Sequence, residues 1–242
     1  MRPIPPFSYH RPMRLEEAVA LLGELGDARV IAGGTDLIVE IRDGAPVPEA
    51  IVDISQIREM DYIREEAGMV KIGALTTHAE ILRSSLVSAR VPVLAEAVKA
   101  IGCAQIRNRG TIGGNLCNAS PAADTAPPLL VLDAHLIVVN PGGIRTIPLT
   151  SFFKGPGETV LKGDELLCEV QAQVPEEDTG TSFRKLGRRR AHTLSLVSAA
   201  ACLKLEGGRC EEARVALGAV APTPLRAWGV EGRLRGKKLT EE

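Results

Sequence analysis

An α+β fold in two parts is what this sequence predicts, and three observations predict it. Apolar runs of strand length alternate with runs of helical spacing through the first half of the chain. The composition shifts at Pro175-Glu176-Glu177-Asp178, which reads as a linker and places a domain boundary near residue 178. Beyond it, two apolar-rich segments flank Gly207-Gly208, the signal of an antiparallel hairpin.

In chain order, Leu15, Ala18, Val19, Leu22 and Leu25 follow helical spacing, and Gly26 supplies a stop. Arg29 to Ala32 reads as a short buried strand running into Gly33-Gly34, after which Asp36 to Arg42 can start a second helix. Ala50 to Ile54 and Val70 to Ala74 read as strands. A helix from about Thr77 to Leu82 follows, with Thr76 or Thr77 as its cap. Another helical pattern lies between Pro92 and Ile101. The stretch from Gly102 to Pro121 is rich in small and polar residues and too long for a turn, so it is expected to be a functional or mobile loop. Apolar structure resumes over Leu129–Asp133 and Leu136–Val139, with a hairpin through Pro141-Gly142-Gly143. Leu196–Leu205 and Ala213–Val220 are the two arms of the C-terminal hairpin, and no repeat of fixed period is present.

Composition narrows the function. The 242 residues carry 29 Lys and Arg against 30 Asp and Glu, a net charge of −1 that disfavours nucleic acid and anionic lipid as partners. An aromatic content of 3% leaves few stacking platforms for single strands. No apolar run reaches the length of a transmembrane span, and the first residues lack a secretory pattern, so a cytoplasmic protein is expected. Cys103, Cys117, Cys168, Cys202 and Cys210 are widely spaced without a C-x-x-C pair. They suit reduced thiols and do not form a recognisable zinc or iron–sulfur ligand set. Any metal centre is therefore expected on another polypeptide.

Two glycine pairs carry candidate chemistry. Ala32-Gly33-Gly34-Thr35-Asp36 lies between a strand and a helix, where the missing β-carbons let backbone amides converge on a phosphate and the helix start adds a favourable dipole. Thr111-Ile112-Gly113-Gly114-Asn115 repeats the logic with two hydrogen-bonding side chains. Either pair alone is equally a tight turn. Neither fits G-x-G-x-x-G or G-x-x-x-x-G-K-[ST]. Together they could hold a pyrophosphate from two sides, and a valine at Gly33 or Gly114 is expected to displace it while leaving a soluble fold.

From these residues the sequence resembles the flavin-binding medium subunit of the molybdenum hydroxylases, the xanthine dehydrogenase and carbon monoxide dehydrogenase family. The resemblance starts at Phe7-Ser8-Tyr9-His10-Arg11-Pro12 and runs through Ala32–Leu37 and Ile72-Gly73-Ala74. It is densest from Gln105 to Asp133, with Gly110–Asn115 and Ser120-Pro121-Ala122-Ala123-Asp124, and it continues in Phe183–Arg190 and Leu217–Pro224. It implies a two-part FAD-binding domain of the vanillyl-alcohol-oxidase (PCMH) type over 1–178, its subdomains meeting near residue 57, and a small C-terminal α+β domain over 179–242. FAD would be held without a covalent link by Ala32, Gly33, Gly34, Thr35 and Asp36 and by Thr111, Gly113, Gly114 and Asn115. Asp124 matches an acidic residue that reaches the adenosine side; on its chemistry alone it is equally a cap for the helix that Thr125 would begin. Lys185 matches a flavin-contacting lysine, and read without the family it is a solvated one. His192 stands where relatives often carry an acidic or aromatic residue near the flavin ring. The chain ends soon after Gly236-Lys237-Lys238, where relatives generally continue, so the resemblance implies an incomplete C-terminal domain.

Arg188-Arg189-Arg190 reads as a solvated charged face. His10, His78, His135 and His192 are scattered and read as structural, and Cys117 as a small buried thiol. No nucleophile–base pair or metal ligand set equips the chain to oxidise an organic substrate by itself. The family instead implies a relay. A molybdenum subunit oxidises the substrate, a small subunit passes electrons through [2Fe–2S] clusters, and FAD collects them for NAD, quinone or oxygen, the whole forming a dimer of heterotrimers. A stand-alone flavin oxidase would need a substrate domain well beyond residue 178. A scaffold without flavin would have no use for two intact glycine segments and Asp124.

Overall fold

The structure, a computed structural model, describes residues 5–189 and 192–239; Arg190 of the arginine run and the terminal Thr240-Glu241-Glu242 lie outside them. It begins with a small parallel sheet. Strand β1 (Ser8–His10) is followed by helix α1 (Leu15–Glu24), strand β2 (Ala28–Ile31), helix α2 (Leu37–Asp43) and strand β3 (Ala50–Asp53), and the sheet order is β1-β3-β2. Parallel neighbours need a crossover, which α2 supplies between β2 and β3. The helical spacing read for α1 buries Ala18, Val19 and Leu22.

A five-stranded antiparallel sheet follows, built from β4 (Ile63–Glu66) and β5 (Met69–Gly73) and, after a run of helices, β6 (His135–Asn140), β7 (Gly143–Pro148) and β10 (Leu166–Gln173). Its order is β4-β5-β10-β6-β7, which puts β10 at the centre, and a short hairpin of β8 (Phe153–Gly155) and β9 (Glu158–Thr159) lies on the path to β10. The helices are α3 (His78–Arg83), α4 (Ser85–Arg90), α5 (Pro92–Lys99), α6 (Ala104–Arg107), α7 (Ile112–Cys117) and α8 (Ala126–Val131). Thr77 caps α3 in a reciprocal box with Glu80, and Pro92 opens α5. The stretch from Gly102 to Pro121, expected to be a loop, contains α6 and α7. Each is under two turns long, too short for a period to show in the sequence.

The last sheet is antiparallel, β11-β12-β13-β14, from β11 (Thr179–Gly187), β12 (Ser195–Glu206), β13 (Arg209–Gly218) and β14 (Leu225–Arg226), followed by α9 (Trp228–Leu234). Gly207 and Gly208, both with positive φ, make the expected hairpin turn between β12 and β13. Helices α5 and α8 pack against this sheet while α7 packs against β10, so the helices form a layer between the two antiparallel sheets. One continuous apolar core results, with Leu94, Leu116, Leu129 and Phe183 buried in it. A charged network adds to it. Asp133, just after α8, accepts from both Arg214 and Arg226, and Arg226 also pairs with buried Glu231 of α9.

Candidate functional site

A cavity of about 680 Å³ opens where the three sheets and the helical layer meet. It is lined by residues 29–37, by most of 110–118, by Asp124 and Leu166, and by His192 to Leu194. Both predicted glycine segments therefore reach one site, and their contact is very close. A β-carbon on Gly33 would sit 1.9 Å from the Arg109 carbonyl oxygen and 3.1 Å from the Gly110 nitrogen. Glycine is required there for two backbones to touch.

The two segments contribute differently. Among the described residues, none of the amides of Gly33, Gly34, Thr35 and Asp36 donates to a backbone carbonyl. Gly34 takes a left-handed conformation with φ +70°, and consecutive amides in such a turn form a concave anion nest. Thr35 is half-buried and its hydroxyl donates to exposed Asp36 at 3.2 Å, while Ala32 leads out of β2 into the nest. In the second segment the amides are already engaged. Ile112 donates to the Thr76 carbonyl, Gly113 to that of Ala74 at 2.9 Å, and Gly114 to the capping hydroxyl of Thr111. The expectation that both pairs offer free amides is thus corrected for the second, because the turn after β5 takes those of Ile112 and Gly113 and the Thr111 cap takes that of Gly114. Gly113 is needed for that packing, since its β-carbon would meet Ala74 at 2.7 Å. Gly114 is exposed, and its β-carbon would meet only the Thr111 hydroxyl, at 2.9 Å. The second segment thus lines the cavity at Gly114 without a side chain. Asn115 accepts from Thr125 through Oδ1 at 2.6 Å, which leaves its side-chain NH₂ for a ligand.

Asp124 does not cap a helix. Thr125 stands at the α8 cap position without a side-chain capping bond, and the Asp124 carboxylate instead accepts from Lys185 Nζ and Ser195 Oγ, both at 2.5 Å. Burial raises its affinity for a proton, against the opposing effect of those two donors. Each oxygen keeps one lone pair, enough to accept from a sugar hydroxyl. Lys185 is not solvated. Its side chain is 10% exposed, and its three donors go to Asp124, the Ala100 carbonyl and the Thr193 carbonyl. It stands behind Asp124 rather than on the cavity wall, a position that depends on β11 pairing with β12 and is invisible in the sequence.

Three cavity residues were read as bland in the sequence. His192 lines the cavity with φ +49°, its amide on the Gly102 carbonyl and its own carbonyl held by the Arg189 guanidinium. Cys117 lines the wall, and burial pushes its thiol up to about 12, which makes it inert as a nucleophile. His78 is 2% exposed, and burial with help from the nearby Arg107 charge lowers its imidazole from 6.5 to about 4. Between those values the unfolded chain binds a proton that the folded one refuses. The stability carried by neutral His78 is therefore complete above pH 6.5 and falls by about 3 kcal/mol as the pH drops toward 4. Urea denaturation across that range should show the acid loss in the parent and a shallower one in His78→Gln.

Comparison with known proteins shows which family the chain belongs to. A family model described as the FAD binding domain in molybdopterin dehydrogenase matches residues 5–176, and one described as the CO dehydrogenase flavoprotein C-terminal domain matches 181–242. The chain belongs to this FAD-binding family. The carbon monoxide dehydrogenase medium chain of Hydrogenophaga pseudoflava is 40% identical to this flavoprotein over 99% of the chain and 84% of the relative. The xanthine dehydrogenase FAD-binding subunit of Escherichia coli O157:H7 is 36% identical over 93% of the chain and 77% of the relative. Among solved structures, carbon monoxide dehydrogenase from Hydrogenophaga pseudoflava lacking the Mo-pyranopterin moiety of the molybdenum cofactor superposes with a TM-score of 0.96 at 39% identity, covering 99% of this chain and 84% of that one. Quinoline 2-oxidoreductase from Pseudomonas putida 86 gives 0.94 at 33% identity, over 99% and 83%. The flavoprotein is thus an oxidoreductase subunit of the carbon monoxide and xanthine dehydrogenase type. Among its described residues no helix is long and apolar enough to cross a membrane.

Proposed function

We propose that this chain holds FAD non-covalently in the cavity and relays electrons from a partner [2Fe–2S] subunit, fed by a molybdenum subunit, to an external acceptor such as NAD, quinone or oxygen. The observation that carries the reading is the run of amides from Gly33 to Asp36 without a backbone acceptor among the described residues, on a cavity that Gly114 also lines without a side chain. Such a run suits a pyrophosphate. Asp124 then takes a hydroxyl on the adenosine side, with Lys185 and Ser195 fixing its orientation, and Asn115 and Thr35 supply side-chain hydrogen bonds. The division at residue 178 separates the domain that carries the nest from the one that carries Lys185 and Ser195. Bound flavin supplies the ability to take electrons singly and release them in pairs. The chain's own part is to bind and orient it, and to keep one edge near the donor.

Support for the partners comes from the relatives, which are named as medium chains and as one subunit of a larger enzyme. The test is anaerobic. The purified protein is expected to be yellow, and its flavin is expected to bleach on addition of substrate only when the cognate iron–sulfur and molybdenum subunits are present. Bleaching by the isolated chain would favour a stand-alone oxidase. A colourless protein that takes up no FAD would favour a scaffold.

A further inference from the structure

We propose that His78 is a further cofactor-binding residue, its Nε2–H donating to an anionic oxygen of the dinucleotide's pyrophosphate beside the second glycine segment. The inference rests on the reading of the cavity as the FAD site. The backbone fixes the place of the ring. Thr77 and Thr111 form an antiparallel bridge, and the His78 amide donates to the Gly110 carbonyl at 2.9 Å. The ring borders the cavity at Gly110, where a β-carbon would lie 3.2 Å from Cδ2 and 3.5 Å from Nε2. Gly33 in turn reaches to within a β-carbon's 3.1 Å of the Gly110 nitrogen, so nest, glycine and imidazole are neighbours.

The two ring nitrogens differ. Nδ1 is sealed from solvent and has no hydrogen-bond partner among the described residues. Burial keeps the ring neutral, so a single nitrogen carries the proton. A proton on Nδ1 would be an orphaned buried N–H, a rare arrangement, whereas on Nε2 it points to the side where a ligand can accept it. The ring is then a fixed, uncharged donor. An anionic oxygen is the acceptor that gains most from it, because hydrogen bonds to charged groups are the strong ones.

The experiment compares FAD and riboflavin binding, by flavin fluorescence, in the parent, His78→Leu and His78→Gln, with folding checked by circular dichroism. His78→Leu should weaken FAD roughly ten- to hundredfold with riboflavin unchanged, and His78→Gln, whose amide N–H sits near the place of Nε2, should recover most of the loss. FAD binding by His78→Leu within about threefold of the parent, or an equal loss for riboflavin, overturns the proposal. If His78→Leu does not fold, the ¹⁵N signals of the parent's imidazole decide: an Nε2–H tautomer whose Nε2 signal moves on adding FAD supports it, and an Nδ1–H tautomer or an unmoved signal overturns it. A parent that binds no FAD overturns the cofactor reading itself, and this proposal with it.

Discussion

Gly114→Val is expected to give a folded protein that no longer retains FAD, whereas Gly33→Val is expected not to fold. Both glycines lie in the segments that face the cavity, and the sequence alone predicts one outcome for them. The structure separates them. At position 114 a β-carbon meets only the Thr111 hydroxyl, whose displacement costs at most a helix cap worth about 1 kcal/mol, and valine exceeds glycine in helix propensity, so the fold has little reason to fail. Its side chain fills space in the cavity that Gly114 lines. Displacing even one hydrogen bond to a charged phosphate costs about 1.5–3 kcal/mol, so affinity should fall at least roughly tenfold. At position 33 the β-carbon would overlap a backbone carbonyl at 1.9 Å, and no side-chain rotation relieves that. The measurement is flavin absorbance per mole of protein together with a thermal melt. Normal flavin content in Gly114→Val would remove this cavity as the cofactor site, and a stable Gly33→Val would contradict the close approach of the two backbones.

Lys185→Met should destabilise the protein by about 3–5 kcal/mol, because it strands the Asp124 carboxylate in the interior with Ser195 as its remaining donor. Methionine keeps most of the volume, so the loss reports charge rather than packing. Adding Asp124→Asn should recover much of the stability, since a neutral amide needs no counter-charge there. FAD affinity should behave differently. If the carboxylate itself accepts from the adenosine sugar, the double variant remains weak for FAD although its urea midpoint has recovered. A Lys185→Met protein as stable as the parent would return Lys185 to solvent, and a double variant with full FAD affinity would show that FAD does not need the negative charge at position 124.

What could be read in the sequence was whatever local chemistry determines. Thr77 announces its helix through Glu80, Gly207-Gly208 announces a hairpin, and Leu15 to Leu25 show their period because the helix is long enough to repeat it. The missed elements lack such signals. Strand β10 is central and nearly all buried, yet Glu169 interrupts its apolar run, tolerated because Tyr62 and Arg64 reach that carboxylate. Edge strand β11 has few apolar residues and gives a hydrogen bond to α5, Glu96 accepting from the Phe183 amide. The glycine pairs were legible as candidates because only glycine gives a backbone that freedom. Which pair has free amides was not legible, since Ala74 and Thr76, more than thirty residues away in the chain, take the Gly113 and Ile112 donors of the second segment. Ser195 as a support of Asp124 and His78 as a wall of the cavity were hidden for the same reason.

Asp124 belongs to the larger domain, yet both side chains that hold it, Lys185 and Ser195, come from beyond the composition break near residue 178. The break therefore looks like a clean joint along the chain but passes through the cavity in space. For protein engineering and for the history of such subunits this sets a rule of exchange. A hybrid joined near 178 from two relatives would inherit the nest from one parent and the buried lysine and serine from the other. It would keep a working site only where the two parents agree at those three positions and at the cavity residues His192 to Leu194.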